Sequence, residues 1–190
     1  LKVGVVTERV HTDVVEPEVA NAVVKAITVL GELGASVEEV SLPLIVDSAA
    51  IIGGIQIQGR ASFGGNICNS SPRADCIPVL IAYGATCEIA GPNGKRSVPV
   101  EEFCTGPGQT VLRPGEILTE VRLPPPLPNS GSLYIKHSPR GAMDIATLGV
   151  ASVISLEDSG RVCRNVRIGL GAVAPTPIRA SAAESILWGR

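Results

Sequence analysis

Aromatic residues are scarce in this sequence. Phe, Trp and Tyr make up 3% of its 190 residues, too few to build the stacking platforms that hold single-stranded nucleic acid. An excess of base is also missing. Sixteen Lys and Arg stand against 18 Asp and Glu, a formal charge of −2, which leaves no electrostatic footprint for a phosphate backbone. Nucleic acid is therefore not expected as a partner. No apolar run approaches the ~20 residues of a membrane-spanning helix, and no secretory signal opens the chain. A cytoplasmic protein without membrane contact is expected.

Metal and nucleophile chemistry are equally thin. The five cysteines, Cys68, Cys76, Cys87, Cys104 and Cys163, are odd in number and widely spaced, with no C-x-x-C pair. A zinc or iron–sulfur site built by this chain is not expected, and the thiols are read as reduced. His11 and His137 are the only histidines; both are expected at the surface, and no Ser or Cys with an acidic partner makes a triad legible. No catalytic residue is assigned. The strand-to-helix G-x-G-x-x-G fingerprint of nicotinamide nucleotides is absent. Gly94-Lys95 lacks both the following Ser/Thr and the upstream glycine of a phosphate-binding P-loop.

What remains is the composition of a folded chain of one or two domains, 45% apolar and 18% charged. Its opening reads as β-α-β. Lys2 to Val6 is a short apolar strand, and Pro17, flanked by Glu16 and Glu18, suits the first turn of a helix. Val19, Val23, Ala26, Ile27, Leu30 and Leu33 fall on one helical face, Gly34 is a plausible stop, and residues 37–42 form a second strand. Residues 1–43 carry seven acids and three bases, a charge of −4 against +2 for the remainder.

Further on, residues 44–52 suit a short helix before a Gly53-Gly54 turn, and residues 77–82 suit a buried helix. Asn93-Gly94 signals a hairpin between residues 86–90 and 96–100. A helical turn at 101–104, a turn at Pro114-Gly115 and a half-buried strand around Val121 follow. The Pro-rich run 124–132 is the clearest boundary. Strands at 133–136, 148–156 and 162–171 precede a helix from Ala180.

The stretch with most chemical content is Ser62-Phe63-Gly64-Gly65-Asn66. Two glycines without Cβ atoms allow close backbone approach to a ligand. Converging amides make an anion-binding concavity, and Asn66 adds a side-chain donor. Nine residues on, Asp75 offers a carboxylate suited to a ribose hydroxyl. On residues alone, the glycines serve equally as a tight bend, and Asp75 as the cap of the following helix.

The longer text from Gln56 to Asp75 (QIQGRASFGGNICNSSPRAD) resembles the FAD-binding subunit or domain of the molybdenum hydroxylases, relatives of xanthine and carbon monoxide dehydrogenase. The resemblance runs over residues 44–190, and motifs such as Met143-Asp144-Ile145-Ala146 and the phrase AVAPTPIR at 172–179 keep the family's order. It implies an α/β (α+β) protein with part of a vanillyl-alcohol-oxidase (PCMH-type) FAD-binding fold at 44–126. Residues 127–190 would be the C-terminal domain of the flavin protein. It also implies more chain at both ends of that module, and weak FAD binding without a second glycine-rich phosphate loop.

By the same resemblance, the backbone of Ser62, Phe63, Gly64, Gly65 and Asn66 cradles the FAD pyrophosphate, and Asp75 binds a ribose hydroxyl. Ile52 and Leu118 are apolar walls, Lys136 reaches toward the flavin, and Ile145 packs near the isoalloxazine. Without it, Ile52, Leu118 and Ile145 read as core and Lys136 as a surface lysine. The implied role is electron transfer to FAD from [2Fe–2S] clusters on a second subunit, fed by a molybdenum-cofactor subunit, and onward to an acceptor. Residues 1–43 instead resemble a β-α-β unit of amidase-signature hydrolases, without the Ser–Ser–Lys residues of that family. A hydrolase fragment, or a chimeric chain without activity, is thus the alternative.

Overall fold

The computed structural model describes residues 2–6, 17–40, 42–141 and 143–190. The chain divides into two compact units, residues 1–46 and 47–190. In the first, Lys2–Val6 (β1) and Ser36–Val40 (β2) pair in parallel, and Pro17–Glu32 (α1) connects them. This is the β-α-β read from the sequence. Gly34 ends the helix at φ +87, a left-handed position that favours glycine.

The face of α1 departs from expectation, for no residue of that helix is buried. Val19 is 54% exposed and Leu33 79%. A two-stranded sheet offers too little area within this unit to cover a helix of 16 residues. The expectations for His11 and Glu16 lie outside the described residues.

Pro43–Ala50 (α2) follows, and the second unit is organised around Cys76–Tyr83 (α5). Residues 76–82 are all buried, as a helix apolar on every side must be. Gly84, left-handed at φ +71, ends it; its amide bonds Ile81 O, and Ala85 N bonds Leu80 O. One flank of α5 packs on an antiparallel sheet of order β11-β10-β9-β8. Its strands are Ser130–His137 (β8), Leu148–Leu156 (β9), Cys163–Gly171 (β10) and Ile178–Arg179 (β11). Helix and strand approach so closely that a Cβ on Gly169 would run into the Pro78 carbonyl.

A second antiparallel sheet has the order β4-β3-β7, from Thr86–Gly91 (β3), Gly94–Pro99 (β4) and Ile117–Arg122 (β7). The expected hairpin forms, turning through Pro92-Asn93 with Gly94 opening β4 opposite Gly91. Val100–Phe103 (α6) leads into a small ladder of Cys104–Gly106 (β5) and Gln109–Thr110 (β6), which the sequence did not announce. Buried Ser70 ties it down, its one hydroxyl proton shared between Gly106 O at 2.9 Å and Gln109 O at 2.7 Å.

Charged pairs join these elements. Arg167 on β10 bonds Glu101 on α6 at 3.0 Å and caps the Ile81 carbonyl at 3.0 Å. Glu184, on Ser181–Leu187 (α7), is 5% exposed; it accepts from Ile168 N at 2.8 Å and pairs with Arg179. The five cysteines are free, and burial pushes the Cys76 and Cys87 thiols up to about 12. Among the described residues no helix is long and apolar enough to cross a membrane.

Glu116 makes the unit acid-sensitive. Arg96 grips its carboxylate with two donors at 2.9 and 2.7 Å, and Arg113 N adds a third at 2.8 Å. These bonds, the Arg96 side chain foremost, hold its pKa down to about 2. A depressed folded-state value adds stability that is fully present above the unfolded value of about 4.5, and is lost as pH falls toward about 2. Thermal unfolding scanned from pH 5 to 2 should therefore fall less steeply for Glu116→Gln than for the parent; equal slopes would remove Glu116 from the account.

Candidate functional site

The Ser62–Asn66 stretch is not the bend expected of two glycines. It is the cap and first turn of a short helix, Phe63–Cys68 (α4), which follows the four-residue helix Ile55–Gln58 (α3). Ser62 stands at φ −122, ψ 154, and its Oγ accepts the Gly65 amide at 3.0 Å, the usual contribution of an N-cap hydroxyl. Asn66 N bonds Ser62 O at 3.0 Å. The Gly65 amide expected to face a ligand is therefore already paired.

Two features keep this end receptive. The Phe63 and Gly64 amides lie in the first turn, where no helical carbonyl can reach them, and a Cβ on Gly64 would meet nothing within 4 Å. Asn66 Oδ1 is buried without a hydrogen-bond partner, a deficit of roughly 1–3 kcal/mol unless a donor arrives.

Asp75 stands at the N-terminus of α5 but makes no cap bond. Its carboxylate, on a residue 6% exposed, turns instead toward β8. Tyr134 Oη donates to Oδ1 at 2.8 Å, and Lys136 Nζ donates to Oδ2 at 2.9 Å. Both charges are nearly enclosed, at 9% exposure for the lysine side chain and 8% for the aspartate, so Lys136 is no surface lysine. Lys136 also donates to Ile51 O at 3.2 Å.

Strand alternation explains the grouping: residues two apart share a face. Tyr134 and Lys136 look inward, while Leu133 and Ile135 look outward, each 58% exposed. On β9, Ala151 and Gly149 lie opposite them in register. Gly149 makes room, since a Cβ there would sit 2.8 Å from the Tyr134 hydroxyl. Burial, and then the Asp75 charge, push the Tyr134 phenol well above its ordinary range. It stays protonated and donates.

Above this cluster opens a cleft of about 680 Å³, lined by Ile51, Gly53, Gly54, Tyr134, Lys136 and Met143 among others. Gly53 turns at φ +54. The Met143 thioether lies where it would touch a Cβ on Gly54. His137, Ser138 and Asp144 line the cleft as well, so its apolar walls carry several polar side chains, a mixture that small-molecule sites share.

The structure thus brings Asp75 and Lys136 together, and of the two Lys136 lines the cleft, with half-buried Ile52 in the adjoining turn. Leu118 is half-buried on β7, paired with Ile89, and does not line this cleft. Ile145 is 68% exposed, so it belongs neither to the core nor to the cleft wall. Its neighbour Asp144 points inward, held by Arg140 N and Nε at 2.5 and 2.6 Å. Ala142, in the same phrase, lies outside the described residues. His137 is exposed, as expected. Tyr134 escaped the sequence reading; its spacing of two from Lys136 on an alternating strand was the available signal.

Residues 5–126 match the family model of the FAD-binding domain in molybdopterin dehydrogenase. The chain belongs to that family. Residues 133–190 match the carbon monoxide dehydrogenase flavoprotein C-terminal domain. The chain is 42% identical to the putative xanthine dehydrogenase FAD-binding subunit of Escherichia coli K12 over 144 residues, 75% of this chain and 49% of that protein. It is 34% identical to the carbon monoxide dehydrogenase medium chain of Hydrogenophaga pseudoflava over 177 residues, 93% of this chain and 61% of that protein.

The solved carbon monoxide dehydrogenase from Hydrogenophaga pseudoflava lacking the Mo-pyranopterin moiety superposes with a TM-score of 0.74 at 37% identity. It covers 78% of this chain and 51% of that one. The fold is thus that of the family, with FAD as the family's cofactor. The chain spans about half the length of the Escherichia coli relatives it matches. The family match begins at residue 5, inside the segment compared with amidases above.

Proposed function

We propose that this chain is part of an FAD-binding electron-transfer subunit of a molybdenum hydroxylase. The observation that carries this reading is the family match together with a buried Asp75–Lys136 pair whose lysine lines a cleft. The residues fit the cofactor. The free Phe63 and Gly64 amides suit phosphate oxygens, beside Ser62 and Gly65, and orphaned Asn66 Oδ1 suits a hydroxyl donor. The Asp75 lone pairs left by Tyr134 and Lys136 suit a ribose hydroxyl, and the third Nζ proton of Lys136 suits a carbonyl or phosphate oxygen. Ile52 offers apolar surface beside the cleft, whereas Leu118 and Ile145 lie outside its walls and would serve only a cofactor that extends beyond it. When bound, FAD supplies the electron-carrying group that protein side chains lack.

Electrons would come from a [2Fe–2S] subunit and a molybdenum-cofactor subunit of the same complex. Among the described residues no group of three or more His, Cys, Asp or Glu is placed to hold a metal. The proposed plan is residues 1–43 as a β-α-β unit, 44–126 as part of the FAD-binding fold and 127–190 as the C-terminal domain. The division of the structure near residue 46 supports its first boundary and the family limits at 126 and 133 its second, although the family match itself starts at residue 5. Hydrolysis rests on residues 1–43 alone, and no observation favours it.

Titration with FAD, followed by flavin fluorescence, tests the reading. Saturable one-to-one binding is expected, micromolar or weaker for this chain alone. Asn66→Leu should weaken it about tenfold, the equivalent of ~1.4 kcal/mol. Binding of a nicotinamide nucleotide with no response to FAD would overturn the assignment.

A further inference from the structure

We infer that Tyr134 is a positioning residue for the cofactor site. Its phenol orients the Asp75 carboxylate so that this group and Lys136 meet the ligand as one rigid, paired unit. The inference rests on the functional reading above and adds to it a residue that touches Asp75 and borders the cleft.

The geometry assigns the role. Asp75 stands in helical backbone conformation and makes no cap bond, so nothing in its own helix fixes its side-chain torsions. Two groups from β8 fix them instead. Lys136 takes Oδ2 at 2.9 Å and Tyr134 takes Oδ1 at 2.8 Å. A lysine ammonium alone is a point charge that rotates freely about its carboxylate partner, whereas a second donor on the other oxygen locks the carboxylate plane. The remaining lone pairs then point in one direction.

The strand pairing is built around the phenol. Gly149, the register partner of Lys136, leaves the space that the Tyr134 hydroxyl occupies, and even a methyl group there would stand 2.8 Å from that oxygen. Lys136 carries the constraint onward through its bond to Ile51 O at 3.2 Å, in the segment that turns into Gly53 and Gly54 at the cleft wall. One phenol thereby couples the start of α5, the strand β8 and the turn after α2.

Two variants test this by independent routes. Tyr134→Phe removes the donor and keeps the ring, and Gly149→Ala keeps the donor and takes its space. In the chain without cofactor, Lys136 is shielded, so its labelling by an amine-reactive sulfonate, read by peptide mass spectrometry, should be slow. Both variants should raise Lys136 labelling several-fold while thermal unfolding remains cooperative.

In FAD titrations, Tyr134→Phe should weaken binding about tenfold, and Asp75→Asn more. The double variant should be no weaker than Asp75→Asn alone, because Tyr134 acts through Asp75. Additive losses, or labelling of Lys136 unchanged in both variants, would overturn the inference. If the parent binds no FAD, the functional reading fails, and the labelling result still decides whether Tyr134 orders the pair.

Discussion

Asp75→Ala is expected to lower stability by about 3–5 kcal/mol, the usual cost of removing one member of a buried ion pair. The loss has three parts. Lys136 keeps a charge in a site where its side chain is 9% exposed, with only the Ile51 carbonyl left to answer it. Tyr134 loses the acceptor of its buried hydroxyl. The N-terminus of α5 loses a negative charge that its helix dipole favours. For a chain of this size the midpoint should drop by roughly 10 °C. Adding Lys136→Met removes the stranded cation and should restore part of the loss. Urea unfolding of the three proteins measures this directly, and a loss below about 1 kcal/mol in Asp75→Ala would mean that the pair is not formed.

Gly169→Ala should cost roughly 3 kcal/mol or more, at the upper end for added core volume. The added methyl would point at the Pro78 carbonyl, and neither backbone can yield easily. Pro78 lies within a helix whose residues 76–82 are buried, and Gly169 pairs with Ala151 on one side and Arg179 on the other. Relief requires α5 to lift from the sheet, which would also pull Asp75 from β8. The variant should therefore lose FAD affinity along with stability, although Gly169 does not line the cleft. Gly131→Ala is the control, since a Cβ there meets nothing within 4 Å. Equal stability of the two variants would count against the close helix–sheet approach.

Local signals in the chain were read well wherever their cause is local. Asn93-Gly94 needs only its neighbours to make a hairpin, and Leu148–Leu156 emerged with the expected bounds. The apolar run 77–82, with Pro78 as its starter, reads as a short buried helix, and it is one. Ser62 was misjudged for the same kind of reason. Glycine disfavours helix interiors by about 1 kcal/mol, so Gly64-Gly65 read as a bend, while the Ser62 cap bond to Gly65 sufficed to start a helix. The outer face of α1 failed differently: periodicity marks which residues share a face, and not whether anything covers it.

By itself the sequence determined the longer strands and helices, the family, and the residue types a dinucleotide needs, because propensity, turn chemistry and motif order are properties of neighbouring residues. Only the tertiary structure decided which of those residues meet. Asp75 and Lys136 are 61 positions apart and Tyr134 is 59 from Asp75. Their union follows from α5 packing against β9 and β10, with β8 at the edge of that sheet. A buried charge must find its counter-charge in three dimensions, and no local pattern announces where that partner stands.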